Sequence, residues 1–155
     1  MTGLKQEFDT AIAQLTSEGA PYELATAADG TRYYKAAPAN LGEALGVARN
    51  HGDREFLIYE GERRSFNQLM DEADALAAAL QAAGIVKGDR VALAMRNYPE
   101  WMAAFIACAL IGAVAVPVNS WGTPDEIAYT VEDAQAKLVI CDQQRYDGVA
   151  ERMAQ

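Results

Sequence analysis

Leu69, Ala73, Leu76, Leu80 and Ala83 recur at helical intervals through NQLMDEADALAAALQAAG, and this spacing predicts an amphipathic helix ended by Gly84. LKQEFDTAIAQL repeats the pattern, with Leu4, Phe8, Ile12 and Leu15 on one helical face. YELATAADGTRYYKA predicts a hairpin turning at Ala28-Asp29-Gly30. Asn40 is placed to cap a short helix from Leu41 to Asn50, with Gly52 as its stop. EFLIYEGERRSF reads as a strand pair folded at Gly61.

From here strand and helix alternate. VKGDRVALAM predicts a turn at Lys87-Gly88-Asp89 and a strand from Arg90 to Met95. NYPEW opens a helix over Glu100 to Ile111, with Asn97 as cap and Pro99 in the first turn. Val114 to Val118 is a β-branched strand. Thr123 and Glu126 make a T-x-x-E capping box around Pro124 and start the helix PDEIAYTVEDA. Lys137 to Cys141 is a further strand, and QQRYDGVAERMAQ a final helix. The expected fold is α/β: a mainly parallel sheet flanked by helices on both faces, with a peripheral N-terminal helix and hairpin. Residues 1–37 form the arm and residues 38–155 an incomplete α/β subdomain.

Composition narrows the functional classes. With 155 residues, 51% of them hydrophobic and 23% charged, the chain has material for a substantial core. A net charge of -9 argues against binding nucleic acid or an anionic membrane through a general field. The opening MTGLKQEFDTAIAQL lacks the layout of an export signal, so a cytoplasmic protein with reduced Cys108 and Cys141 is expected. Trp101 to Val118 carries no charge and is long enough to test as a membrane span. Its alanines, Gly112 and Pro117 divide it instead into a buried helix and a buried strand, so no transmembrane segment is expected.

The usual catalytic patterns do not occur: no G-x-x-x-x-G-K-[ST], no G-x-G-x-x-G after a strand and no G-x-S-x-G. His51 is the sole histidine and sits where an imidazole serves a helix C-terminus. Asp71, Glu72 and Asp74 line the polar side of the long helix, and Glu60 and Glu62 flank a turn. Three residues follow strands directly: Asn97, Asn119 and Asp142. In a parallel sheet they share one edge, where ligands gather, and Trp121 would wall a pocket there. The same residue types also end strands and cap helices, so Asn119 to Gly122 reads either as a site rim or as a strand-to-helix joint.

GIVKGDRVALAMRN, PEWMAAFIACALIGAVAVPVN and TPDEIAYTVEDAQAKLVICD follow one another in a region spanning residues 40–142. In that order they resemble the N-terminal segment of adenylate-forming, AMP-binding acyl-CoA synthetases. The resemblance implies a parent that activates a carboxylic acid, a fatty acid as first choice, with ATP and magnesium. The acyl-adenylate then passes to the thiol of coenzyme A. The family's phosphate loop, of the type Y-T-S-G-T-T-G-x-P-K-G, has no counterpart here, so no catalytic, cofactor-binding or metal-binding residue is assigned. The resemblance therefore implies a structural N-terminal fragment, inactive alone, whose partner is the remainder of the parent polypeptide. The alternative is a stand-alone assembly module that dimerises through open sheet edges.

Overall fold

A computed structural model describes residues 2–153 and divides the chain into two compact units that meet at Ala39 and Asn40. The first unit contains helix α1 (Thr2–Leu15) and the antiparallel strands β1 (Leu24–Thr26) and β2 (Arg32–Tyr34). Asp29 accepts a hydrogen bond from Thr31 N, and Gly30 takes φ 87°, the left-handed conformation that this turn requires. The apolar stripe of α1 remains exposed, with Leu4 and Phe8 the most open.

The second unit starts with α2 (Leu41–Gly46), where the Asn40 side chain accepts from Glu43 N at 2.9 Å. The helix expected to reach Asn50 instead tightens into a 3-10 turn over Val47–His51. Gly46 and β-branched Val47 have weak α-helical preference, which explains where the change falls. Gly52, at φ 59°, stops the turn. Strands β3 (Glu55–Tyr59) and β4 (Glu62–Ser65) follow as an antiparallel pair. Their turn places Glu60 at φ 47° and Gly61 at φ 89°.

Helix α3 (Phe66–Ala82) begins with a capping box that the periodicity did not reveal: Ser65 accepts from Gln68 N, and Gln68 accepts from Ser65 N. Gly84 ends it at φ 83°, with Ile85 N donating back to Leu80 O. Strands β5 (Arg90–Ala94), β6 (Val114–Pro117) and β7 (Leu138–Cys141) form an all-parallel sheet in the order β6-β5-β7. Helices α4 (Pro99–Leu110) and α5 (Pro124–Asp133) make the two crossovers, and α6 (Gln143–Met153) follows β7.

Alternation along β5 builds two cores from one strand. Val91 and Leu93 pack with Ala77 and Leu80 of α3 and with Ala104, Ala107 and Cys108 of α4. Ala92 and Ala94 face the other way, toward Val118, Ile127, Val131 and Val149. All four β5 residues are fully buried, as expected for a central parallel strand. Each large side chain taken out of water here contributes about 2 kcal/mol. Cys108 belongs to the first core, and burial pushes its thiol above the ordinary value; the Cys141 thiol is raised for the same reason. Among the described residues, no helix is long and apolar enough to cross a membrane.

Candidate functional site

The parallel register aligns the C-terminal ends of the three strands, since Leu93 pairs with Pro117 and Ala94 with Cys141. The segments after β5 and β6 therefore leave the sheet side by side. They line a cleft of about 700 Å³ formed by Tyr59, Met95–Tyr98, Trp101 and Pro117–Trp121. Asn97 and Asn119 are both in this lining, as their strand-end positions suggest, and both are exposed.

Asn97 does not cap α4. Tyr98 is the cap residue, extended at φ -83° and ψ 162°, because the following Pro99 occupies the first helical position and excludes an α conformation before it. Asn119 turns its side chain back on its own loop, where Oδ1 accepts from Trp121 N at 3.1 Å and the carbonyl accepts from Gly122 N. Thr123 and Glu126 close the predicted capping box, with Thr123 N donating to Glu126 Oε2 at 2.7 Å. Asn119 to Gly122 is thus a strand-to-helix joint, and Asn119, Ser120 and Trp121 also rim the cleft.

Asp142 lies beneath the rim rather than in the cleft lining. Its Oδ2 accepts from Arg96 N at 3.1 Å and its Oδ1 from Arg145 N at 3.0 Å, capping α6. The Arg145 guanidinium adds Nη1 at 3.3 Å from both carboxylate oxygens. Burial alone would raise the Asp142 pKa, but the two backbone donors and Arg145 outweigh it and hold the carboxyl below its usual range.

Arg145 is itself only 7% exposed, and its Nε donates to the Ser120 carbonyl at 2.8 Å. One ion pair, between buried Arg145 and half-buried Asp142, thus ties together the loops after β5, β6 and β7. Above it, the Arg96 guanidinium lies 3.6 Å from the centre of the Trp121 ring.

Arg96 and Arg145 escaped the motif search because neither belongs to a catalytic pattern. The available signals were Arg96 directly beyond a strand and Arg145 three residues after the capping Asp142. His51 lies outside this region and packs its ring against Phe66, 4.6 Å between centroids. Asp71 and Asp74 pair with Arg49, while Glu72 pairs with Arg64, so the long helix uses these carboxylates structurally. Arg64 also reaches Glu100 at 3.0 Å, linking β4 to α4. Among the described residues, no group of three His, Cys, Asp or Glu side chains is arranged to hold a metal ion.

Known proteins resemble this chain in sequence and in fold. The chain is 36% identical over 102 residues to the acyl-CoA ligase sidI of Aspergillus fumigatus, covering 64% of this chain and 17% of that protein. It is 41% identical over 99 residues to an acetyl-coenzyme A synthetase of Streptomyces avermitilis, covering 61% and 15%. The crystal structure of the N-terminal domain of FACL13 from Mycobacterium tuberculosis superposes with a TM-score of 0.71 at 30% identity, over 76% of this chain and 31% of that one. The chain therefore spans about a sixth of the length of the curated relatives it matches. The sequence pattern of the family described as AMP-binding enzyme matches residues 46–155, the stretch holding the parallel sheet, its crossover helices and the cleft at the strand ends. By that match and by its fold, the chain belongs to the AMP-binding enzyme family.

Proposed function

We propose that this chain is the N-terminal part of the large domain of an ATP-dependent acid–CoA ligase, in which it is a structural layer rather than the catalytic body. Residues 38–155 are the α/β subdomain in this reading, and residues 1–37 an added arm. The family match over residues 46–155, in a chain whose aligned part covers about a sixth of its relatives, carries the proposal. The relatives' names supply the reaction class, in which a carboxylic acid is joined to coenzyme A. A fatty acid is the first choice of substrate, on the sequence resemblance alone. The unpaired Cys108 and Cys141 agree with a cytoplasmic setting.

ATP and magnesium belong to this reading only through the longer polypeptide. Asp142, the carboxylate directly after β7, spends both oxygens on Arg96 N, Arg145 N and the Arg145 guanidinium. A magnesium ion would have to break that pair, so the residues present do not fit a metal–triphosphate site. Coenzyme A is likewise assigned to the parent.

The test compares the purified 155-residue chain with the longer polypeptide encoded by its source reading frame. Each is given ATP, magnesium, coenzyme A and a series of carboxylic acids from acetate to long-chain fatty acids. Acid-dependent pyrophosphate release and acyl-CoA formation are expected from the longer polypeptide alone. Turnover by the 155-residue chain would overturn the structural role. A reading frame that stops at Gln155, with a stable dimer in solution, would replace the proposal with the assembly module.

A further inference from the structure

From the cleft at the strand ends we infer that Arg96, laid over Trp121, is an anion-binding group that receives a carboxylate or phosphate oxyanion of a ligand. This goes beyond the structural role above and concerns a site within the chain itself. Among the described residues, Arg96 is the only charged side chain lining the cleft of about 700 Å³. The chain has 22 acidic residues against 13 lysines and arginines, yet no carboxylate forms an ion pair with Arg96 among the described residues. Arg49, Arg63, Arg64 and Arg145 are all ion-paired.

The stack on Trp121 occupies one face of the guanidinium and leaves its in-plane N–H donors for a planar or tetrahedral oxyanion. Trp121 is 75% exposed, so its indole is not there to fill a core. Both members of the stack are held from below by the same Asp142–Arg145 pair. Asp142 accepts from Arg96 N, and Arg145 holds the carbonyl of Ser120, the residue before Trp121. Such anchoring lowers the ordering cost of binding.

Ligand-observed NMR titrations with phenyl phosphate, benzoate and phenol test the inference, on the 155-residue chain and on the longer polypeptide. At least one anion is expected to bind saturably while neutral phenol does not. R96A should weaken that binding about tenfold or more, W121A should weaken it, and R63A on the β3–β4 pair should leave it unchanged. Circular dichroism of each variant establishes that the fold is retained. Binding of phenyl phosphate alone identifies phosphate as the ligand chemistry, and binding of benzoate alone identifies carboxylate. Affinity unchanged in R96A, or no saturable binding of either anion, overturns the inference. Neither result bears on pyrophosphate release, so the ligase reading stands or falls separately.

Discussion

Arg145 holds the Ser120 carbonyl through Nε at 2.8 Å, joining the start of α6 to the loop after β6. Because the same guanidinium also pairs with Asp142, one side chain closes the floor of the strand-end cleft.

Removing Arg145 leaves Asp142 and the Ser120 carbonyl short of donors. R145A should cost about 3 kcal/mol of unfolding free energy, read from urea denaturation. R145K keeps the charge but loses the fork, and a smaller loss of about 1–2 kcal/mol is expected. Equal losses in the two variants would show that the forked hydrogen bonds, and not the charge, carry the contribution.

The Asp142 pair makes stability depend on acid. The native carboxyl titrates below its unfolded value, so its contribution is complete above about pH 4 and is lost as pH falls through the depressed native value. D142N should therefore be less stable than the wild type at pH 7, and the gap should narrow below about pH 4. Thermal unfolding across that range measures it, and a gap independent of pH would count against the pairing.

Two capping boxes set helix starts at Ser65 and Thr123. S65A and T123A should each cost about 1 kcal/mol in equilibrium unfolding, since each leaves a helix N–H without its side-chain acceptor.

Leu93 is fully buried on the α3 and α4 side of β5. L93A should cost about 2–5 kcal/mol, because close-packed alanines on the helices cannot collapse far into the cavity. A denaturation midpoint shift within error would contradict this packing.

Local chemistry made most elements legible. The Thr123 box with Pro124 and the Gly61 turn each carry their cause within a few residues and appear where the spacing predicts them. The α3 stripe holds at Leu69, Ala73 and Leu80 but also buries Met70 and Ala77, and it leaves Ala83 exposed beyond the helix end. The failures were local competitions. Pro99 moved the α4 cap from Asn97 to Tyr98, and Gly46 with Val47 converted the end of the second helix into a 3-10 turn. At the site, strand-end logic identified Asn97, Asn119, Trp121 and Asp142, but not the two arginines that organise them.

The sequence by itself determined the alternation of strands and helices, the apolar faces and the family likeness, because periodicity, capping and turn chemistry act over a few residues. Only the tertiary structure decided the order β6-β5-β7 and the assembly of the cleft. Arg145 reaches Ser120, 25 residues away, and Arg96 N reaches Asp142, 46 residues away. Such partners meet only after parallel pairing has aligned the strand ends, and no local pattern encodes which distant carbonyl or carboxylate an arginine segment will find.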